Sequence, residues 1–155
     1  EVGELAVAGP HVMGGYWNRP DETARKLRRI AGDPRLWLHT DDLFRIDADG
    51  YLFFVGRRDD VFKPGGHKVS PVEIEEVIVL MPGVVEAAVI GVPDADWGHV
   101  ARAFVVPMEG ASLVAEEVIR HCTARLPGYM VPRSVEFVRA LPKTESGKVK
   151  KLDLR

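Results

Sequence analysis

The chain has 155 residues, 46% of them hydrophobic and 28% charged. That is the composition of a folded globular chain, long enough for about one domain with its own core, and it excludes a disordered segment. With 21 basic and 23 acidic residues the formal net charge is −2, which gives no electrostatic reason to expect nucleic acid or an anionic membrane surface as partner.

A single cysteine, Cys122, excludes an internal disulfide framework, so a reducing, cytoplasmic setting is the expectation. That cysteine and five scattered histidines fit no structural zinc spacing, and no bound metal is expected. No apolar run approaches the roughly 20 residues of a membrane span. Fifteen glycines and eleven prolines promise many turns. The start, Glu1-Val2-Gly3-Glu4-Leu5, has neither Met nor a signal segment, and the expectation is a processed chain or a piece of a longer one.

In chain order, residues 3–8 read as a short strand stopped by Gly9-Pro10, followed by a glycine-rich loop, Met13-Gly14-Gly15-Tyr16-Trp17. Arg19-Pro20-Asp21-Glu22-Thr23 opens a basic helix to about Ile30, acidic at its start and cationic at its end as the helix dipole prefers. Trp37-Leu38-His39 and Leu43-Phe44-Arg45-Ile46 read as separate strands. Asp47-Ala48-Asp49-Gly50 is a hairpin turn into the strand Tyr51 to Val55.

Gly56-Arg57-Arg58-Asp59-Asp60 is a polar break, and the domain boundary is placed there. Residues 61–69 form a hairpin around Pro64-Gly65-Gly66. Ser70-Pro71-Val72-Glu73 is the strongest local signal: an N-cap serine, a proline at N1 and a glutamate at N3 completing a capping box. That helix should bury Val72, Val77, Ile78 and Met81 and stop at Pro82-Gly83. Residues 84–92 and 100–106 are apolar strands around a loop. Residues 113–126 form an amphipathic helix with Val114, Val118, Ile119 and Cys122 inward and an i,i+4 pair of Glu116 and Arg120. After the break at Pro127-Gly128, residues 135–138 are a third strand and Pro142 to Lys151 a polar, basic loop. A three-stranded sheet with helices on one face is expected after residue 60.

Several chemistries are excluded by spacing. Ser146-Gly147-Lys148 resembles the end of a P-loop, but Pro142 and Val149 stand where that motif needs Gly and Ser or Thr. There is no G-x-S-x-G elbow. Three clusters remain. Thr40-Asp41-Asp42 is either a solvated turn or a pair of carboxylates gripping paired hydroxyls. Gly56 to Asp60 with Lys63, Gly65-Gly66 and Lys68 is either a charged linker or an anion site built of backbone amides and cations. Lys143 to Lys148 is either a frayed basic tail or a loop bringing an ammonium to a phosphoryl transition state.

In their order and spacing these clusters resemble the C-terminal part of the AMP-forming acyl-CoA synthetases, within the adenylate-forming superfamily that includes luciferases and peptide-synthetase adenylation domains. Gly3-Glu4-Leu5 with Gly14-Gly15-Tyr16-Trp17-Asn18 resembles the segment before the family's hinge. Thr40-Asp41-Asp42-Leu43 is similar to its T-G-D-L, and Gly56 to Asp60 through Glu73-Ile74-Glu75 to its G-R-x-D-D…K…G…P-x-E-I-E. Leu141-Pro142-Lys143-Thr144 with Ser146-Gly147-Lys148 resembles its L-P-K-T-x-S-G-K.

The resemblance implies an α+β fold. A β-rich segment, residues 1–58, would end a large N-terminal domain. A small mobile domain, residues 59–155, would hold a three-stranded sheet flanked by helices plus a β-hairpin. It implies ATP, Mg2+, coenzyme A and a small carboxylic acid as reactants, and the protein's own N-terminal domain as partner. By residue, it implies that Asp42 and Arg57 hold the ATP ribose, that Asp59 is the hinge, and that Lys63 acts in thioester formation. It further implies that Gly66 lets the pantetheine arm pass, that Lys68 lies near the phosphates, and that Lys148 stabilises the adenylate-forming transition state. Asp41 replaces the family's glycine, and Lys68 keeps the charge of an arginine without its fork.

A carboxylate would attack the α-phosphate of Mg-ATP to give acyl-adenylate and pyrophosphate, and CoA thiol would then displace AMP. The family's phosphate loop and carboxylate pocket lie upstream of residue 1, so the 155 residues alone are expected to be inactive. Two rivals are a peptide-synthetase adenylation domain and a non-catalytic module retaining the fold. Ser146-Gly147-Lys148-Val149-Lys150-Lys151, in place of N-G-K-V-D-R, disfavours the first. The joint presence of Asp42, Arg57, Lys63, Gly66 and Lys148 disfavours the second.

Overall fold

A computed structural model describes all 155 residues. They form two compact units, Glu1–Asp59 and Asp60–Arg155.

The first unit is built around one long strand. β1 (Val2–Val7), α1 (Pro20–Lys26) and β2 (Leu27–Arg29) precede β3 (Leu36–Ile46), and β4 (Leu52–Arg57) follows it. All three other strands pair antiparallel to β3: β1 along one edge, β2 and β4 at the two ends of the other. Two expectations are corrected here. The basic helix ends at Lys26 rather than Ile30, because Leu27 turns extended (φ −101°, ψ 105°) and is buried against β3, opposite Leu38. The two strands expected around residue 40 are one, because Thr40-Asp41-Asp42 is absorbed as an irregularity: Asp41 takes φ 61° and the register with β1 slips across it, between His39 and Leu43. The β3–β4 turn forms as read, with Asp47 Oδ1 accepting the Asp49 and Tyr51 amides and Gly50 at φ 87°.

The second unit is a three-layer arrangement. β5 (Val84–Asp94), β6 (Gly98–Pro107) and β7 (Ser134–Phe137) lie in that order, the first pair antiparallel and the second parallel. Parallel pairing needs a crossover, which α3 (Ala115–Thr123) supplies. α2 (Pro71–Val79) and α3 cover one face: Ile74, Ile78, Val118 and Cys122 are fully buried with Val89, Ala103 and Val105. The strand alternation sends Ala88, Ile90 and Phe104 to the other face, where Leu141, Val149 and Leu154 pack on them. The basic tail is therefore a covering layer and not a frayed end. No helix is long and apolar enough to cross a membrane.

Both helices are shorter than read, and their buried faces differ. In α2 the buried residues are Pro71, Ile74 and Ile78, while Val72, Val77 and Met81 are only partly covered. Ser70 takes the N-cap position without a side-chain capping bond, and the Glu73 amide donates to the Ser70 carbonyl at 3.3 Å. In α3, Val114 is the exposed N-cap residue and Glu117 Oε2 accepts its amide at 3.4 Å. Arg120 lies 3.9 Å from Glu117 at i,i+3 rather than pairing with Glu116.

Candidate functional site

In the first unit the register places Asp42 opposite Arg57, and their side chains meet at 3.0 Å. Both remain partly open to solvent. Thr40 fixes this point of the strand, since its hydroxyl donates to the Leu5 carbonyl at 2.8 Å and accepts the Asp42 amide at 3.1 Å. The two residues that the resemblance assigns to a ribose are thus brought together by the sheet.

Beside them lies an ionic cluster that the sequence reading missed. Asp41 is at a left-handed φ of 61°, a conformation in which glycine is free of strain and Asp is tolerated better than most residues. Its carboxylate pairs with Lys26 and lies 3.8 Å from Arg58. Glu4 accepts the Asp41 amide at 3.1 Å and pairs with His39 at 3.2 Å and Arg58 at 3.1 Å. The Arg58 amide donates to the Asp41 carbonyl at 2.7 Å. Arg58 is thereby tied by backbone and side chain immediately before Asp59, the last residue of this unit. A cleft of about 580 Å3 runs past Tyr16, Lys26, Arg28, Asp41, Arg58 and Asp59.

In the second unit the 61–69 hairpin is closed by paired Phe62 and Val69 and turns through a 3-10 segment, Pro64–Gly66. Lys63 and Lys68 flank this turn with exposed side chains. Gly65 and Gly66 have φ of 54° and 86°. The Gly65 amide donates to the Trp97 carbonyl at 2.9 Å, and a Cβ at Gly65 would lie 3.0 Å from the Trp97 ring. A Cβ at Gly66 would meet nothing within 4 Å, so the space beside Gly66 is open. The loop behind this contact is braced by Asp94 Oδ1, which accepts the Asp96 and Trp97 amides and is held below the usual carboxylate range mainly by the latter bond. His67 stacks on Tyr129, with ring centroids 4.1 Å apart.

Lys148 sits on a second hairpin. Lys143 bridges Val149, the Thr144 amide donates to the Lys148 carbonyl at 2.8 Å, and Thr144 Oγ1 accepts the Lys148 amide at 3.1 Å. Four lysines lie close in sequence here. Lys143 pairs with Glu86 at 2.6 Å, Lys150 with Asp153 at 2.9 Å and Lys151 with Glu75 at 2.7 Å. The Lys148 ammonium has no such pair and is exposed. No group of three or more His, Cys, Asp or Glu side chains is placed to hold a metal ion.

The site residues therefore fall into an Asp42–Arg57 pair in the first unit and two hairpins in the second, one with Lys63, Gly66 and Lys68 and the other with Lys148. The supporting carboxylates Glu4, Glu75 and Glu86 were missed as contacts. The one available signal was acidic residues within otherwise apolar strands or beside a motif.

Residues 73–148, a segment of the second unit, match the AMP-binding enzyme C-terminal domain family. The relatives that the chain matches include CoA ligases. It is 44% identical over 155 residues to a feruloyl-CoA synthase of an Amycolatopsis species, and 42% identical over 153 residues to a 2-succinylbenzoate–CoA ligase of Bacillus mycoides. These matches span 100% and 99% of this chain but 30% of each relative. Among solved structures, ATP-bound MatB from Rhodopseudomonas palustris matches over 100% of this chain and 30% of its own, with a TM-score of 0.89 and 41% identity.

Proposed function

We propose that this chain is the C-terminal portion of an ATP-dependent carboxylate–CoA ligase that forms an acyl-adenylate and then an acyl-CoA. Asp42 and Arg57 take the ATP ribose hydroxyls. Lys148 stabilises charge on the α-phosphoryl group as the carboxylate attacks, Lys68 lies near the phosphates, and Mg2+ enters with ATP. The small domain then turns about Asp59, and Lys63 and Gly66 serve the thioester step, Gly66 leaving room for the pantetheine arm. CoA and a small carboxylic acid are the other reactants, the setting is cytoplasmic, and the partner is the protein's own N-terminal domain.

The observation that carries this reading is the isolation of the Lys148 charge. Its three neighbouring lysines are each neutralised by a carboxylate, while Lys148 is held on a hydrogen-bonded hairpin with its ammonium free. Phosphoryl transfer is dominated by positioning and charge stabilisation, so an oriented, unpaired ammonium is the expected instrument.

In the full-length ligase, Lys148→Ala should reduce carboxylate-dependent pyrophosphate exchange by roughly 100-fold or more and leave thioester formation from supplied acyl-adenylate nearly unchanged. Equal loss of both steps would refute the division of labour. The 155 residues alone should give no pyrophosphate exchange.

A further inference from the structure

The hairpin that carries Lys148 is anchored at both ends, once to β5 and once to α2. At its start, Lys143 pairs with Glu86 of β5 at 2.6 Å. Beyond its end, Lys151 opens the terminal 3-10 turn, Lys151–Leu154, and pairs with Glu75 of α2 at 2.7 Å. The same Glu75 Oε1 accepts the amide of Val89, also in β5, at 2.7 Å. The Glu86–Lys143 pair is well exposed. The Glu75–Lys151 pair is not, with side-chain exposures of 17% and 15%. Partial burial weakens solvent screening of that pair, and removing either partner leaves the other charge covered and uncompensated. Leu141 and Val149 fill the space between these anchors against Ala88, Ile90 and Phe104.

We infer that Glu75 is a positioning residue for Lys148: by holding Lys151 and the Val89 amide together it fixes the hairpin to β5 and sets where the free ammonium is presented. This rests on the assignment of Lys148 to adenylate formation. Glu75 does not touch the reactants in this scheme. Its effect passes through Lys151 and the backbone of residues 148–151, and adenylation suffers when a reacting group is displaced by as little as about 1 Å.

The test has two arms. In the 155-residue chain, hydrogen exchange is followed at the Thr144, Gly147, Lys148 and Lys150 amides, all hydrogen-bonded within the hairpin. Glu75→Gln and Lys151→Gln should each raise their exchange by roughly tenfold and leave the β6 amides unchanged, whereas Lys151→Arg, which keeps the cation opposite Glu75, should leave hairpin exchange as in the original chain. Lys151→Gln lies in the terminal turn and keeps the test decisive if Glu75→Gln fails to fold. In the full-length ligase Glu75→Gln and Lys151→Gln should lower kcat for adenylation by roughly tenfold at unchanged KM for ATP, with the thioester step from supplied acyl-adenylate intact.

Unchanged hairpin exchange in Lys151→Gln overturns the clamp. So does full adenylation by Glu75→Gln in a ligase that Lys148→Ala cripples. Full adenylation by Lys148→Ala overturns the Lys148 assignment and with it this inference, and is told apart because hairpin exchange still responds to Glu75→Gln.

Discussion

Gly91→Ala tests how the 61–69 hairpin is held to the small domain. A Cβ built at Gly91 lies 2.4 Å from both Cβ and Cγ of Phe62 and 2.9 Å from Cδ2. Carbon atoms rest at about 3.5–4.0 Å, so the Phe62 side chain and its backbone must retreat by more than about 1 Å. Phe62 is 6% exposed and belongs to the main core, and its amide and carbonyl close the hairpin on Val69 at 3.2 and 2.9 Å. Because the nearest atoms are Phe62 Cβ and Cγ, no rotamer change relieves the clash. Overpacking of this kind costs about 1–3 kcal/mol, or a fall in Tm of roughly 5–20 °C for a unit of this size. Urea unfolding should show a lower midpoint at unchanged slope, and hydrogen exchange at Phe62 and Val69 should accelerate ahead of the β5–β6 amides. Phe62→Ala in the Gly91→Ala background should recover little, since Cβ remains. A Gly91→Ala chain as stable as the original, with Val69 exchange unchanged, would refute the claim that this contact seats the hairpin bearing Lys63, Gly66 and Lys68.

Two further expectations concern the helix–sheet core. Ile74→Ala removes a fully buried side chain and should cost about 2–5 kcal/mol by urea unfolding, against less than about 1.5 for Val72→Ala on the half-covered flank. Burial pushes the Cys122 thiol up to about 11 from 9.0. Its alkylation at pH 8 should therefore run roughly 100-fold below that of the urea-unfolded chain. An acid whose folded pKa is raised favours folding while the unfolded thiol is still protonated. That contribution is lost as pH climbs from about 9 to about 11, so alkaline unfolding should shift upward in Cys122→Ala.

Local chemistry made part of the fold readable. α2 announces itself because Ser70-Pro71-Val72-Glu73 combines a start signal with a fixed φ, and the β3–β4 turn because Asp47 and Gly50 satisfy a specific geometry. What escaped was settled by partners far away in sequence. Over a nine-residue helix the apolar phase is ambiguous, and Ile74 goes inward because the sheet lies on that side. Thr40-Asp41-Asp42 reads as a break, but Leu5 and Glu4 absorb its polar groups and β3 runs on. The 142–151 segment reads as a loop because the apolar residues that dock it, Val149 within it and Leu141 and Leu154 beyond its ends, are diluted by lysines. The candidate site divides in the same way. Its motif residues carry a pattern, whereas Lys143 with Glu86 and Arg58 with Glu4 are 57 and 54 positions apart and leave none.

The Glu75 contact with Val89 also bears on solubility. In the order β5-β6-β7, β5 is an outer strand of almost unbroken apolar sequence, Val84 to Val92 interrupted only by Glu86. Such a strand invites pairing with another molecule. A carboxylate on the Val89 amide occupies a position that an incoming strand would need, and Lys151 sets a second charge beside it. The same two side chains that fix a hairpin thus stopper a sheet edge, so their loss exposes a template for intermolecular association at the concentrations at which such domains are handled.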